Sequence, residues 1–502
     1  MIRFNSKPAL KTVYVGFGQG GCRIVDVFAS FKTSEGIPHY ATYGLNSNKN
    51  DFMELKHIPQ TNLVSLDLNG FGKDPTEAID VLSLHKPSQV KIDNFVDNFY
   101  DPEADLIVFC ASMGGGTGTS TIIKTLEAYI EKYINPQINF ALGKMLESKG
   151  ITMEQFNTLP LEQRNMAKLR AFDVAYKMNR IKKIGIIATI PVRSDGPNTL
   201  AQVNKFTNYL WQLAKNPLKG IAFVTFPDNQ KFYDDWSKDK DRLQQKNYRD
   251  YANYQTAEVF HELNLGTNMG GTDVTFDPKD FRKVMLEGEG CLNINRLSTN
   301  SNQITSSNDM YDLLSTSFGG SLLHAPIVLQ EKDEETQQIQ HQKVFNVGLL
   351  TVTNSELKDI GSAYLDEVKE HISSSLYLNG SIFTGTVNLS KTAFQTVAYT
   401  FYKTMGLPER LSKGLVEELN QYRQQKGSLT FKTDTIASAN TSFATERSLE
   451  NIQEVSLTGS LGAGLDFLSG FETSKDTSVK EENNGHALGS NDDSLDWIKN
   501  WE

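Results

Sequence analysis

The chain has 502 residues, of which 39% are apolar, 22% charged and 10% aromatic, a composition that is typical of globular proteins and excludes fibrous or wholly disordered chains. No apolar run approaches the roughly 18 residues of a membrane span, and the first residues lack the apolar core of a secretory signal. The net charge of −10 lies mainly in residues 427–502, which contain five Lys and Arg against thirteen Asp and Glu. The near-neutral remainder argues against a broad basic surface for non-specific DNA binding.

Three cysteines, Cys22, Cys110 and Cys291, lie far apart and form no CxxC spacing. Scattered cysteines of this kind are typical of buried, reduced thiols. The sequence therefore predicts a cytoplasmic protein that is not inserted in a membrane.

Short apolar runs alternate with amphipathic stretches through the first part of the chain. The predicted strands are 11–16, 40–45, 62–68, 104–111, 183–190 and 220–226, and helices are predicted over 22–31 and 120–133. This alternation predicts an α/β fold with a parallel sheet covered by helices on both faces. Ligands of such folds bind at the carboxyl ends of the strands.

Residues 134–182 interrupt the alternation with a pattern that predicts helices. They contain eight basic and four acidic residues, and Thr152 and Gln155 have the spacing of a capping box. A connection within an α/β unit usually takes only a few residues, so we expect a helical insertion. Its basic face either contacts nucleic acid or a partner or is an ordinary solvated helix surface.

The remaining chain predicts a long helix, a second α/β domain and a tail. Apolar residues recur at helical spacing over 247–266, and strands are predicted at 344–353 and 381–388 with a helix over 361–376 between them. Pro408 is typical of a helix start. The predicted division is 1–246, 247–266 (core helix), 267–405, 406–426 (C-terminal helix) and 427–502, an acidic tail rich in Ser, Thr, Asn and Gly that we expect to be disordered.

The first glycine loop, residues 16–21 (GFGQGG), satisfies GxGxxG, the pattern of dinucleotide-binding folds. Such folds require an acidic residue at the end of the second strand to hold a ribose hydroxyl. Here that strand ends in Leu45, Asn46 and Ser47. A Rossmann-type NAD(P)-binding oxidoreductase is therefore kept only as an alternative.

The second glycine loop, residues 112–120 (SMGGGTGTS), lacks the GK[ST] of a Walker loop. Successive glycines allow backbone N–H groups to turn towards phosphate oxygens, and the following helix N-terminus adds partial positive charge. A purely structural turn is the alternative. The run of glycines and hydroxyls favours a phosphate site.

The order of these features resembles the tubulin/FtsZ superfamily of GTPases, whose signature is GGGTGTG or GGGTGS; the present loop is GGGTGTS. The resemblance implies GTP/GDP and Mg²⁺ as cofactors, with Asp51 near phosphate or Mg²⁺, Asn229 and Asn253 at the guanine edge and Tyr248 or Tyr251 stacked on the base. IPVRSDGPNTLA corresponds to the loop on the ribose side. The other nucleotide-binding residues that it implies are Gly18, Gln19, Gly20, Gly21, Cys22, Asn46, Gly72, Gly114, Gly115, Gly116, Thr117, Gly118 and Thr119.

Two acids three residues apart, Asp277 and Asp280, stand at a predicted helix start, which places both on one face of its first turn. In the superfamily this pair meets the nucleotide of the next subunit and orients the attacking water, so the resemblance implies that they are catalytic. Thr275 stands where members of the superfamily often have Asn. Taken alone, Asp277 followed by Pro278 is typical of an N-cap, and both roles can coexist.

The resemblance implies a head-to-tail homopolymer that hydrolyses GTP at its subunit interfaces. Residues 251–265 and 405–427 resemble the plasmid and phage branch of the superfamily, the TubZ and PhuZ type, which implies segregation or positioning of DNA and a DNA-bound adaptor or other partner at the tail. An FtsZ-like division-ring protein is the alternative. Residues 492–501 (DDSLDWIKNW) predict a short docking motif, with an unstructured terminus as the alternative.

Overall fold

A computed structural model describes Phe4 and residues 6–239, 245, 247–269, 271, 274–332, 338–354, 357, 360–389 and 394–427. The predicted tail and its docking motif lie outside the described residues. The strands are β1 (Thr12–Phe17), β2 (Ala41–Asn46), β3 (Leu63–Ser65), β4 (Leu106–Ser112), β5 (Lys183–Thr189), β6 (Ile221–Thr225), β7 (Cys291–Asn300), β8 (Gln330–Lys332), β9 (Ile339–His341), β10 (Val344–Asn354), β11 (Ile382–Leu389) and β12 (Gln395–Thr404).

Helices occupy the connections between these strands. They are α1 (Gly18–Ser30), α2 (Pro75–Leu84), α3 (Lys86–Phe99), α4 (Gly116–Tyr129), α5 (Asn135–Ser148), α6 (Met153–Thr158), α7 (Leu161–Lys177), α8 (Pro197–Ala214), α9 (Asn229–Asp239), α10 (Tyr248–Gly266), α11 (Pro278–Leu286), α12 (Ser307–Phe318), α13 (Ala363–Ser375) and α14 (Leu415–Gly427). Among the described helices, none combines the length and apolar character needed to cross a membrane.

One ten-stranded sheet runs through both halves of the molecule in the order β11-β10-β12-β7-β6-β5-β4-β1-β2-β3. Strands β1 to β6 are parallel, as the sequence predicts. The sheet continues through a single parallel pair, Val224 with Cys291, into β7, which is antiparallel to β12. The two halves therefore share one sheet and are joined at the β6–β7 boundary.

Alternating side chains of the central strands sort into two cores. Val13 and Val15 of β1 belong to the core beneath α2, α3, α4, α8 and α14, whereas Tyr14 belongs to the core beneath α1, α10 and α11. Because successive residues of a strand point to opposite faces, apolar residues at every position require cover on both sides. A third core lies between β10, β12 and the helices α12 and α13.

The residues from 130 to 182 are helical, as expected. A π-helical turn, Ile130–Ile134, links α4 directly to α5, and α6 and α7 follow before β5. The capping box at Thr152 and Gln155 is confirmed, with both reciprocal hydrogen bonds present. This segment therefore extends α4 rather than forming a separate loop.

Several of the described elements were not predicted from the sequence: the helices α2, α3, α9 and α12 and the strands β7, β8, β9 and β12. In β7 the fully buried Asn293 donates from Nδ2 to Gly320 O at 3.0 Å, and Asn295 donates to Ser317 O at 2.8 Å. Asn is disfavoured in strands unless its amide is satisfied by tertiary partners. Those partners lie at and just after the end of α12. No local sequence pattern in β7 indicates that its Asn side chains meet them.

Candidate functional site

A cleft of about 530 Å³ lies at the carboxyl ends of the parallel strands. Its walls are the segments that follow β1, β2, β3, β4 and β5, together with the first residues of α9 and α10. In an open parallel sheet this edge is where ligands bind, because the loops and helix N-termini converge there.

Twelve of the sixteen residues predicted to bind nucleotide or metal line this cleft, although they come from segments spread over more than 200 residues. They are Gln19, Gly20, Asn46, Asp51, Gly72, Gly114, Gly115, Gly116, Thr117, Gly118, Asn229 and Asn253.

The other four lie behind the cleft wall and hold the two glycine loops together. A Cβ on Gly18 would stand 2.7 Å from the backbone nitrogen of Gly118, so the loops are in backbone contact there. Gly21 packs against the carbonyl of β4. The Cys22 thiol is within 3.4 Å of Gly16 O, and burial raises its pKa, while the hydroxyl of Thr119 donates to Met113 O at 3.1 Å.

The phosphate-binding capacity of the cleft rests on its helix N-termini and on one buried amide. Helices α1 and α4 both begin at the cleft, so their unpaired N–H groups and positive dipole ends favour an anion. Asn46 is fully buried; its Oδ1 accepts from Ser47 N at 2.8 Å. Within the described part of the chain its Nδ2 has no hydrogen-bond partner. A buried donor of this kind on the wall of a cleft fits a ligand that supplies the acceptor.

Charged side chains of both signs line the cleft, and the sequence did not single most of them out. Arg23 forms an ion pair with Glu54 outside the cleft, and Lys73 Nζ lies 3.5 Å from Asp195 Oδ1. Arg23 and Lys73 directly follow the predicted loop residues Cys22 and Gly72, so their adjacency was the available signal. Of the other lining residues, Phe17, Ser112, Pro191 and Asp195 belong to loops that the sequence assigned to the site, whereas Thr189 and Arg249 were not singled out.

Of the two tyrosines considered for stacking on a base, the structure places Tyr248 in the cleft lining. The Arg249 guanidinium lies 4.9 Å from its ring centroid. Tyr251 does not line the cleft and instead makes an edge contact with Phe232 at 6.0 Å.

A divalent cation would have Asp51 as its nearest predicted ligand. No group of three or more His, Cys, Asp or Glu side chains is arranged for a metal ion anywhere in the described ranges. Mg²⁺ commonly binds through one or two carboxylates together with substrate phosphates and water. The residues present fit a cation that enters with a nucleotide.

The acid pair begins α11 and lies outside the cleft. Asp277 is the N-cap, as expected: its Oδ1 accepts from Lys279 N at 2.7 Å and from Asp280 N at 2.9 Å. Burial, and then the charge of Asp277, raise the pKa of the Asp280 carboxyl. The two acids therefore lie on one half-buried turn, where their charges repel each other.

An ion pair fixes α11 to the amino-terminal edge of the parallel sheet. Arg282 Nη2 lies 2.6 Å from Asp105 Oδ1, and Asp105 Oδ2 accepts from Lys11 N at 2.8 Å. Asp105 immediately precedes β4, whereas Ser112 at the far end of β4 lines the cleft. Seven residues at about 3.3 Å each separate the two edges by roughly 20 Å. The acids and the cleft thus lie at opposite ends of the parallel strands.

Comparisons with known proteins give matches in both sequence and structure. The family model "Tubulin/FtsZ-like protein TubZ-like, C-terminal domain" matches residues 262–415. The tubulin-like protein TubZ of Bacillus cereus is 22% identical over 379 residues, 72% of this chain and 73% of the relative. The TubZ of Bacillus thuringiensis subsp. israelensis is 23% identical over 288 residues, 54% of this chain and 51% of its own length.

Solved structures share the fold. A GTPγS-form protofilament of TubZ from Bacillus thuringiensis serovar israelensis superposes with a TM-score of 0.59 at 16% identity, covering 84% of this chain and 93% of that one. A GDP-bound CetZ monomer from Haloferax volcanii gives 0.52 at 15% identity, covering 82% and 100%. The chain therefore has the fold of the tubulin/FtsZ superfamily. Its sequence is similar to those of TubZ proteins, and residues 262–415 match the TubZ-like C-terminal domain.

Proposed function

We propose that this chain is a GTPase that polymerises head to tail and hydrolyses GTP at the interface between successive subunits. GTP and GDP would occupy the cleft, with the phosphates at the N-termini of α1 and α4 and the base near Asn229, Asn253 and Tyr248. An Asn carboxamide both donates and accepts, as a guanine edge requires. Asp51 would hold Mg²⁺ beside the phosphates.

The separation of the acid pair from the cleft is the observation that carries this proposal. The roughly 20 Å length of β4 prevents Asp277 and Asp280 from reaching a nucleotide bound in their own subunit. A second subunit, stacked with its α11 edge on the cleft of the first, would bring them there. Such a contact joins unlike surfaces, and when it does not close into a ring it generates a filament.

The proposed role of the two acids is to hold and orient a water molecule, without forming a covalent bond to the substrate. Phosphoryl transfer depends chiefly on positioning and on electrostatic stabilisation. The two carboxylates of the incoming subunit would hold and orient the attacking water, while the glycine loop and helix dipoles of the first subunit stabilise charge on the phosphates. Turnover would then require assembly.

Phosphate release from GTP and from ATP across a protein dilution series, with light scattering recorded in the same samples, tests the proposal. We expect GTP-selective turnover that is absent below a critical concentration and rises together with scattering. Hydrolysis proportional to protein without scattering would mean that the active site is complete in one subunit, and would refute the proposal.

We further propose that the filament moves or positions plasmid or phage DNA, since the relatives are TubZ proteins and one related structure is described as a type III plasmid segregation TubZ. A DNA-bound adaptor would link filament and cargo. A co-sedimentation assay tests this proposal. The chain is assembled with GTP and spun down together with the DNA of its own replicon and the proteins bound to that DNA. Binding of a membrane adaptor by residues 492–501 would instead favour a division-ring role.

A further inference from the structure

The C-terminal helix is attached to the cleft by an ion cluster in which Asp228, Arg410 and Glu418 are buried and Arg193 is partly exposed. The helix α14 and the π-helical turn before it, Arg410–Gly414, pack on α8 in the core of the first half. Arg410 and Glu418 of this segment meet Asp228 and Arg193, which belong to the loops after β6 and β5. We call these four residues the C-terminal clamp.

Arg410 is the centre of the clamp. Its Nη1 donates to Asp228 Oδ1 at 2.6 Å and to the backbone oxygen of Pro191 at 2.7 Å. Its Nε and Nη2 donate to the two carboxylate oxygens of Glu418 at 3.0 and 3.1 Å. Only 7% of the Arg410 side chain is exposed, so the guanidinium is almost fully desolvated and depends on these acceptors.

A second set of contacts joins α14 to the loop after β5. Arg193 Nε donates to Glu418 Oε1 at 3.0 Å, and the hydroxyl of Tyr422 donates to the backbone oxygen of Arg193 at 2.9 Å. The loop after β6 is tied in as well, because Arg193 N donates to Gln230 Oε1 at 3.0 Å and Gln230 N to Asp228 Oδ1 at 2.9 Å. Both loops are therefore held by the helix.

The residues that the clamp touches are next to residues that line the cleft. Pro191 itself lines the cleft, Asn229 follows Asp228, and Asp195 lies two residues after Arg193. A buried ion cluster is a weak source of stability, since desolvating its charges offsets most of their attraction. What it does supply is a fixed geometry, and here the geometry that it fixes is that of the cleft wall.

We propose that Arg410 and Glu418 are positioning residues for the nucleotide site, so that docking of α14 and binding of guanine nucleotide are thermodynamically linked. This rests on the proposed function of the cleft. If the cleft wall is correctly placed in only a fraction of the molecules, the apparent Kd for the ligand equals the intrinsic Kd divided by that fraction. By reciprocity, bound nucleotide must hold α14 in place to the same extent. The tail that continues from α14 would thus be anchored according to nucleotide state.

The test compares two adjacent glutamates of the same helix, using the full chain below its assembly concentration and a fluorescent GTPγS as the probe. Glu418→Gln keeps the size of the side chain but leaves the Arg410 and Arg193 charges unbalanced. Glu417→Gln is the matched control, because Glu417 is exposed. We expect Glu418→Gln to raise the Kd about tenfold, as when a tenth of the molecules keep the competent wall, and the control to leave it unchanged.

Two further measurements separate positioning from folding. In assembled protein, Glu418→Gln is expected to raise KM while kcat at saturating GTP stays the same, since the clamp and the acid pair lie at opposite ends of the parallel strands. In the unmodified chain, saturating GTPγS is expected to slow amide exchange in α14 about tenfold. If Glu418→Gln does not fold, Tyr422→Phe, which removes one hydrogen bond at a half-buried site, is expected to raise the Kd two- to threefold.

The outcomes discriminate between the proposals. The linkage is overturned if the Kd is unchanged in Glu418→Gln or, should that variant not fold, in Tyr422→Phe. It is also overturned if bound nucleotide does not slow amide exchange in α14. Either result leaves the proposed function intact. Failure of the unmodified chain to bind GTPγS overturns the proposed function and, with it, the linkage.

Discussion

Asp277 occupies a position where a structural and a catalytic role coincide, and substitutions can separate them. As the N-cap of α11 it accepts two backbone hydrogen bonds, at 2.7 and 2.9 Å. Asn and Asp are equivalent as N-caps, whereas Ala removes the cap at a cost of about 1 kcal/mol. Asp277→Asn therefore keeps the fold and removes only the charge; Asp277→Ala removes both.

The two roles predict different magnitudes. For a chain of this size, loss of the cap in Asp277→Ala should lower Tm by roughly 2 °C, with no such change in Asp277→Asn. If the carboxylate orients water for a nucleotide on the next subunit, both variants should lose about 10²–10³-fold in kcat, the scale measured when one stabilising group is removed from a transition state. Light scattering should persist, because the charge acts in hydrolysis and the filament contact remains.

Thermal melts and phosphate release in parallel decide the matter, with Ser306→Ala as the control. Ser306 caps α12 in the same way, accepting from Asp309 N at 3.3 Å, so its loss should lower Tm and leave turnover unchanged. Full turnover in Asp277→Asn would refute the catalytic assignment and leave Asp277 as a helix cap alone.

Three other predictions concern charge, the buried amide and the glycine loop. Burial and the charge of Asp277 raise the pKa of the Asp280 carboxyl, so ionisation of Asp280 opposes folding and stability is lost as the pH rises through the folded pKa. The Tm of Asp280→Asn should therefore rise relative to that of the unmodified chain as the pH is raised. Parallel curves of Tm against pH would contradict this. Asn46→Ala should weaken GTPγS binding about tenfold in calorimetry, since it removes a donor for which the described residues offer no acceptor; an unchanged Kd would exclude a ligand contact. Gly116→Ala should lower the Tm of the ligand-free chain, because the added Cβ would stand 2.9 Å from Phe71 O. Gly115→Ala should leave the Tm unchanged and weaken only nucleotide binding, because no described atom beyond its chain neighbours lies within 4 Å of its Cβ. Equal Tm values for the two variants would contradict the close approach at Gly116.

The position of the glycine loops was predictable from local sequence. A run such as residues 112–120 specifies its own backbone turn and the start of the next helix, so this end of the cleft follows from a few adjacent residues. The DxxD pair and the Pro after it likewise specify a helix start locally. The apolar parallel strands were located to within a few residues for the same reason.

Other parts of the site depend on contacts between distant segments. Asp195 lies in a loop that the sequence assigned to the site, but its approach to Lys73 at 3.5 Å exists only because loops 122 residues apart converge on the cleft. The roughly 20 Å between the acids and the cleft follows from the Arg282–Asp105 pair, which joins positions 177 residues apart.

The sequence by itself determined the parallel sheet, the two glycine loops and the capped start of α11, because each is specified by residues within about one turn or one strand. The tertiary structure decided that β7 and β12 extend the same sheet, that buried Asn side chains there find partners on α12, and that α14 folds back onto the first half through Arg410. Those features rest on hydrogen bonds and ion pairs between groups that lie from 22 to 219 residues apart in the chain. Their free energy exists only once the chain has folded, so no local pattern records it.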